Sequence, residues 1–140
     1  MADTEKFEGL KRRMAAENDA KYGPELAARY DADTLADSRR RFMSLTPQQM
    51  EKMDGLAARI QWELEQAVQA QEDPAGAAGR QIAQLHRQWL GYTWPRYTPE
   101  AHAGLAQLYV CDERFTAHYD ARVPGCARFL CDVITACTQA

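Results

Sequence analysis

Helix-start signals recur along this 140-residue chain and constrain its fold more than any other sequence feature. Thr46-Pro47-Gln48-Gln49 combines an N-cap threonine, a proline at the first helical position and a glutamine at the capping-box position. Asp73-Pro74 and Thr98-Pro99-Glu100 repeat the order of a capping residue followed by proline. Strand-like alternation of useful length is absent from the sequence. The pattern therefore predicts an all-α fold.

Seven short helices are predicted, and their number indicates a compact, non-bundle arrangement. Their approximate ranges are 4–22, 34–43, 47–71, 74–90, 99–110, 112–119 and 124–138. The third helix has the clearest apolar stripe, with three-and-four spacing. The stripe consists of Met50, Met53, Ala57, Ile60, Leu64 and Ala67.

The length is typical of a single domain covering residues 1–140. The stripes are weaker through Leu45 than in the rest, since only Phe7, Leu10 and Met14 form one in that part. Few apolar contacts imply low local stability. We therefore expect a helical core at residues 46–140, with residues 1–45 either a mobile lid or an ordinary docked helix followed by a surface loop.

Composition argues against several kinds of partner. The net charge is -3, so the run Arg39-Arg40-Arg41 is interpreted as a solvated helix face rather than a direct nucleic-acid contact. The chain has no stretch near the ~18 apolar residues of a membrane span. The sequence from Met1 to Lys11 lacks the apolar region of a signal peptide. The four cysteines form no CxxC pair, which favours reduced thiols and a cytoplasmic location.

Residues with catalytic or metal-binding chemistry form no constellation in the sequence. The three histidines, His86, His102 and His118, lack the spacing of metal ligands, so no metal, haem or other cofactor is expected. Cys111 lies at a predicted helix N-terminus, where a thiol is activated, although a structural cysteine is the more common case. The sequence thus predicts a protein that is not an enzyme.

Aromatic side chains are the informative feature. Four rings fall within nine residues at a helix end and loop: Trp89, Tyr92, Trp94 and Tyr97. Such a cluster either caps a core or lines an apolar ligand cleft, and the two interpretations have similar weight.

Helical spacing adds two observations that favour the cleft. His86 shares a helix face with Ile82 and Trp89, while His102 and Tyr109 share one with Leu105. Trp62 lies off the stripe of its helix, so it either packs under another helix or faces a pocket.

Several motifs of the second half resemble the TipAS family, the drug-recognition domain of TipA-type MerR-like regulators and of albicidin-binding proteins. The matching segments are Leu85-His86-Arg87-Gln88-Trp89, His102, Tyr109-Val110-Cys111-Asp112-Glu113-Arg114-Phe115, and Pro124-Gly125-Cys126-Ala127-Arg128-Phe129-Leu130 with Asp132-Val133-Ile134. A weaker match covers Tyr22-Gly23 and Ala28-Arg29-Tyr30. The most specific stretch runs from residue 85 to residue 136.

The resemblance implies a globin-like all-α fold without haem and a hydrophobic cleft for large peptide-like antibiotics of thiopeptide or albicidin type. It also implies N-terminal helices that order around the ligand. We therefore predict that the ligand contacts Trp62, His86, Trp89, Tyr92, Trp94, Tyr97, His102, Tyr109 and Phe115, with Tyr22 and Tyr30 on the lid.

Thiopeptide-responsive members of the family capture the drug covalently with a cysteine. The corresponding position here is Gly104, so reversible binding is expected. No DNA-binding segment precedes residue 1 of this sequence, so the resemblance implies either the effector domain of a regulator or a free drug-sequestering protein. The alternative is a helical protein–protein interaction module without a small ligand. The sequence leaves the oligomeric state open.

Overall fold

The computed structural model describes residues 7–18 and 32–139, and this part of the chain is helical with no strand. It contains seven helices: α1 (residues 7–18), α2 (Ala32–Met43), α3 (Pro47–Gln69), α4 (Ala77–Leu90), α5 (Pro99–Cys111), α6 (Glu113–Tyr119) and α7 (Cys126–Thr138). The predicted all-α class is confirmed. None of the described helices combines the length and apolar character needed to cross a membrane.

The described chain divides into two units. The first comprises the described residues of Met1–Lys52 together with Gly91–Arg96, and the second comprises Met53–Leu90 and the described residues from Tyr97 onwards. The interpretation of residues 1–45 as a mobile lid stays a prediction.

Helix α7 is central to the second unit, where it packs against α4, α5 and α6. Its buried side chains are Cys126, Ala127, Phe129, Leu130, Cys131, Val133 and Ile134. The α3 stripe adds Ile60, Leu64 and Ala67 to the buried side chains, whereas Ala57 is exposed. Apolar burial on three or more helices supplies the main stabilisation of this unit.

The first unit has a smaller set of buried apolar side chains among its described residues, namely Ala15, Leu45 and Met50. At its centre lies Lys11 of α1, which is 1% exposed. Its Nζ donates hydrogen bonds to the carbonyl oxygens of Met43 at 2.5 Å and Leu45 at 2.8 Å. Carbonyls at a helix C-terminus lack intrahelical partners, so Lys11 satisfies groups at the end of α2 that would otherwise need water.

Local capping explains where most helices begin. Thr46 and Gln49 form the predicted capping box, with hydrogen bonds of 2.9 and 3.2 Å. Thr98 accepts from the Ala101 amide at 3.1 Å, as an N-cap should. Asp112 ends α5 and caps α6, because its carboxylate accepts from the Arg114 amide at 2.9 Å.

Three predicted helix starts were wrong by two or three residues. Helix α2 begins at Ala32 rather than at residue 34. Helix α4 begins at Ala77 rather than at Pro74, because Asp73 closes a turn onto the Ala75 amide at 2.9 Å. Helix α7 begins at Cys126 rather than at Pro124, because Gly125 takes a left-handed φ of 98°. The N-terminal amides of α7 are capped from outside the helix, since the Asp120 carboxylate accepts from the Ala127 amide at 2.8 Å.

Candidate functional site

A line of four polar side chains crosses the interface of α4 and α5 in the second unit. The Tyr97 hydroxyl lies 2.8 Å from Nδ1 of His102. Nε2 of His102 lies 2.8 Å from Nδ1 of His86, and Nε2 of His86 lies 3.0 Å from the Tyr109 hydroxyl. We call these four residues the histidine relay. The two imidazole planes are parallel to within 2°.

The predicted helix faces bring these groups together. His86 is buried on α4 beside Ile82, and His102 and Tyr109 are buried on α5 with Leu105. Both shared-face predictions are confirmed. Seven residues make about two helical turns, so His102 and Tyr109 reach the two ring nitrogens of the His86 imidazole from one side of α5.

Both histidines of the relay are neutral at pH 7. Burial, together with the neighbouring His102, lowers the pKa of His86 to about 3. Burial lowers the pKa of His102 to about 4, and the positive charge of Arg87 acts in the same direction. A neutral imidazole has one donor and one acceptor nitrogen, which suits a chain of single hydrogen bonds.

One end of the relay reaches the surface. Tyr97 is half-buried, and the Arg87 guanidinium lies 4.1 Å from the centre of its ring. This cation–π contact and the hydrogen bond to His102 fix the ring from two sides. Trp89 is also half-buried, and its ring centre lies 5.5 Å from that of His86.

The other end of the relay is enclosed by rings. Tyr109 is 3% exposed. The centre of its ring lies 5.5 Å from that of Phe115 and 4.9 Å from that of Tyr119, with steep angles between the planes. Edge-to-face packing of this kind is favourable.

The predicted ligand contacts thus differ in accessibility. His86, His102 and Tyr109 pack directly against one another in the interior. Trp89, Tyr97 and Phe115 are half-buried around them. The accessible rings at this site are therefore the half-buried ones, and the role of all six as ligand contacts stays a prediction.

The other predicted site residues are Trp62, Tyr92, Trp94 and the lid residues Tyr22 and Tyr30. Trp62 is 56% exposed on α3, so of its two predicted placements, packing under another helix is wrong, and facing a pocket stays a prediction. Tyr92 and Trp94 are half-buried and belong to the first unit. Tyr22 and Tyr30, the predicted lid residues, lie outside the described residues.

A depression of about 500 Å³ lies elsewhere in the second unit and is polar. Its walls are formed by Arg59, Ala77, Arg80, Gln81, Gln84, Leu85 and Gln88. These walls contain no aromatic ring, so this depression is not the predicted aromatic cleft.

The cysteines and histidines give little support for covalent or metal chemistry. All four cysteines are free thiols. Cys111 is exposed; it is the last residue of α5 and directly precedes Asp112, the N-cap of α6, and its reactivity stays a prediction. Gly104, the position at which the family resemblance implies a capturing cysteine in other members, lies within α5. Within residues 7–18 and 32–139, no three His, Cys, Asp or Glu side chains cluster in a way that could hold a metal ion.

Sequence reasoning missed two residues of the site. Arg87 was part of a matching motif but was not predicted as a site residue, because its contact with Tyr97 depends on a loop whose path periodicity does not reveal. Tyr119 packs on Tyr109 from the end of α6, and its backbone oxygen accepts from Gln61 at 2.9 Å. Helix spacing alone gives no signal for contacts between separate helices.

Relatives of the chain are bacterial transcriptional regulators. It is 29% identical over 141 residues to the HTH-type transcriptional regulator SkgA of Caulobacter vibrioides, covering 97% of this chain and 53% of SkgA. It is 28% identical over 116 residues to the HTH-type transcriptional activator TipA of Streptomyces coelicolor, covering 82% of this chain and 46% of TipA. The chain thus spans about half the length of these relatives.

The fold matches a solved structure of TipAS from Streptomyces lividans in complex with nosiheptide, described as part of a thiopeptide antibiotic multidrug resistance system. The TM-score is 0.73 at 26% identity, covering 86% of this chain and 85% of that one. A family model, the TipAS antibiotic-recognition domain, matches residues 22–137. This chain therefore belongs to the TipAS antibiotic-recognition domain family.

Proposed function

We propose that this domain binds large, largely apolar, peptide-like antibiotics of thiopeptide or albicidin type, reversibly and without catalysis. The observation that carries the proposal is the likeness of the fold, over 86% of this chain, to TipAS in complex with nosiheptide. The half-buried rings of Trp89 and Tyr97, fixed by His86 and Arg87, give a ligand rigid aromatic surface in the second unit. Rings of this kind bind apolar ligands with little loss of side-chain entropy.

The relatives are regulators, and this chain spans about half their length. We therefore propose that the domain acts in the cytoplasm, either as the drug-sensing part of a transcriptional regulator or as a separate drug-sequestering protein. In the first role the bound drug alters the regulator's activity, whereas in the second it only lowers the free drug concentration. The domain itself makes no direct contact with nucleic acid under this proposal.

A fluorescence titration with nosiheptide, followed by intact-mass measurement, tests the proposal. We expect saturable quenching of tryptophan fluorescence and a protein mass unchanged after denaturation, because Gly104 offers no thiol. An albicidin-type compound provides a second arm. A flat titration with both drugs would contradict the proposal, and a mass increase equal to the drug would contradict reversibility.

Substitution of the predicted aromatic contacts gives a sharper test. Burial of one ring contributes ~1.5–3 kcal/mol before ordering losses. We therefore expect Trp89→Ala or Trp94→Ala to weaken nosiheptide binding at least about tenfold, with helical circular dichroism retained. His118→Ala is the matched control, since His118 is an exposed ring outside the predicted site. Unchanged affinity in both tryptophan variants would place the ligand elsewhere.

The exposed indole of Trp62 favours a second candidate function, a helical interaction module. An exposed apolar ring can pair with a protein partner or with a second copy. Sedimentation velocity over a hundredfold concentration range distinguishes the two functions. Association that Trp62→Ala abolishes, without any drug response, would favour the module.

A further inference from the structure

Six arginines lie in the described part of the second unit, and five of them have an oxygen acceptor. Four form ion pairs with carboxylates, namely Arg59, Arg114, Arg122 and Arg128. Arg80 donates to the backbone oxygen of Ala75 at 3.0 Å. The sixth is Arg87, whose guanidinium has no oxygen acceptor within residues 7–18 and 32–139.

Arg87 is held against an aromatic ring instead. Its guanidinium carbon lies 4.1 Å from the centre of the Tyr97 ring, well within the ~6 Å at which a cation is attracted to a ring. The Tyr97 hydroxyl lies 2.8 Å from Nδ1 of His102, which is completely buried. The exposed guanidinium is thus fixed, through the ring, to an interior side chain. A guanidinium that is already fixed loses less entropy when a ligand binds to it.

The positive charge of Arg87 also outweighs its acidic neighbours. Burial raises the pKa of Tyr97, Arg87 opposes this rise, and the smaller effects of Cys137 and Glu100 add to it. Burial lowers the pKa of His102, and Arg87 acts in the same direction. The hydroxyl end of Tyr97 therefore senses the guanidinium more strongly than the nearby carboxylate, which favours the approach of an anion.

We propose that Arg87 is an anion-recognition group, which binds the terminal carboxylate of an aromatic, peptide-like ligand beside the half-buried Tyr97 ring. This inference rests on the proposed function and narrows its ligand class to molecules with an acidic end. The planar guanidinium presents N–H donors that match the two oxygens of a carboxylate. A doubly charged phosphate is less suitable, because Glu100 lies close enough to repel it.

A matched pair of probes tests the inference: an N-benzoylated trimer of para-aminobenzoate, which ends in one carboxylate, and its methyl ester. The two probes share their rings and amides and differ in charge. In a fluorescence titration at low salt, the acid should bind about threefold to tenfold more tightly than the ester, as for one well-oriented exposed ion pair. High salt should reduce this preference, because it screens exposed charges. Equal affinities for acid and ester at low salt would overturn the inference.

Substitutions at Arg87 assign the preference to one side chain. Arg87→Gln should reduce the ratio of the two affinities to about one by loss of the charge, whereas Arg87→Lys keeps the charge without the planar donors and should retain part of the preference. Arg128→Gln is the matched control, because Arg128 is an exposed arginine of the same unit that pairs with Asp132. A preference that survives Arg87→Gln, or that Arg128→Gln also removes, would overturn the inference.

Spectra of the domain labelled with nitrogen-15 arginine locate the contact without a change in the protein. The Nε–H signal of Arg87, identified by its absence in Arg87→Gln, should shift on addition of the acid and stay in place with the ester. An arginine with only a structural role would show no such difference. A shift at another arginine without one at Arg87 would overturn the assignment.

A parallel titration with nosiheptide separates this inference from the proposed function. Nosiheptide binding together with equal affinities for acid and ester would overturn the inference alone. Absence of binding by nosiheptide and by both trimers would overturn the proposed function and the inference together. An acid preference that depends on Arg87, without nosiheptide binding, would support the anion site and contradict thiopeptides as the ligand class.

Discussion

The two units of the molecule bury polar side chains in opposite ways. The first unit buries the ammonium of Lys11, whose nearest acceptors are two backbone carbonyls and the Glu8 carboxylate at 3.1 Å. The second unit buries two imidazoles that are held neutral and bond to each other. In the first unit, the buried ammonium satisfies backbone carbonyls that lack intrahelical partners at a helix end. In the second unit, the buried imidazoles bond to side chains.

This difference indicates that the units have different weaknesses. The described part of the first unit has few buried apolar side chains, so one side chain, Lys11, contributes a large share of its order. The second unit has buried apolar side chains on four helices, α3, α4, α5 and α7, and its stability depends on His86 and His102 remaining uncharged. We therefore expect acid to destabilise the second unit, and loss of the Lys11 amine to destabilise the first.

Acid gives the largest expected effect. The pKa values of His86 and His102 are lowered from 6.5 to about 3 and about 4 in the folded state. The contribution of the two neutral histidines to the free energy of unfolding is therefore complete above pH 6.5, and it decreases as the pH falls below that value. Between pH 7 and pH 5 the free energy of unfolding should fall by roughly 2 kcal/mol for each histidine, about 4 in total. Urea unfolding at both pH values measures this.

All three histidines of the sequence, His86, His102 and His118, lie in the second unit. Hydrogen exchange should accordingly show acid-induced loss of protection in α4 and α5 before the first unit is affected. Equal loss of hydrogen-exchange protection in both units, or constant stability from pH 7 to pH 5, would contradict the expected difference between the units.

Loss of Lys11 should have the next largest effect. Lys11→Met keeps the length of the side chain but leaves the Met43 and Leu45 carbonyls without their donor. We expect a loss of about 2–3 kcal/mol in the free energy of unfolding of the first unit. Hydrogen exchange at the end of α2 reports the change locally. Lys52→Met, an exposed lysine of the same unit, is the control, and equal effects of the two substitutions would show that burial of Lys11 contributes nothing.

Two capping threonines allow a matched comparison between the units. Thr98 is half-buried and caps α5 in the second unit, whereas Thr46 is exposed and caps α3 in the first. Thr98→Ala should lower the free energy of unfolding by about 1 kcal/mol and Thr46→Ala by about 0.5, because water replaces an exposed cap more easily. Chemical denaturation of both variants tests the order. A larger loss of stability from Thr46→Ala than from Thr98→Ala would contradict this order.

Trp62→Ala should have the smallest effect on stability, below about 0.5 kcal/mol, because the indole is 56% exposed. Thermal unfolding measures it, with Trp89→Ala as the half-buried counterpart. A large loss of stability from Trp62→Ala would mean that the ring is covered in solution, which would support a partner or second copy at α3.

Much of the helix pattern could be predicted from the sequence because capping is local. The capping box at Thr46 and the cap at Thr98 act within three residues, and α3 and α5 begin where predicted. The starts at Pro74 and Pro124 were wrong because a turn and a left-handed glycine intervene. Neither depends on helix periodicity.

The candidate site could be predicted only in part. Helix spacing assigned His86 and His102 to the correct faces, but no spacing rule joins residues 16 apart on two helices. The exposure of a residue is likewise not local, so helix spacing left two placements open for Trp62, and the structure excludes packing under another helix because the ring is 56% exposed. The burial of Lys11 gave no signal, since a lysine on a polar helix is ordinarily solvated.

Local sequence patterns are enough to predict the helical class, most helix ends and the faces that carry the histidines and aromatic rings, because these follow from bonds and side-chain directions within a few residues. Packing between helices sets which faces meet. It therefore places the two imidazoles 2.8 Å apart, keeps them neutral and leaves Tyr97 at the accessible end. Hydrogen bonds between helices and the loss of solvation depend on packing across distant parts of the chain, so they exist only in the folded protein.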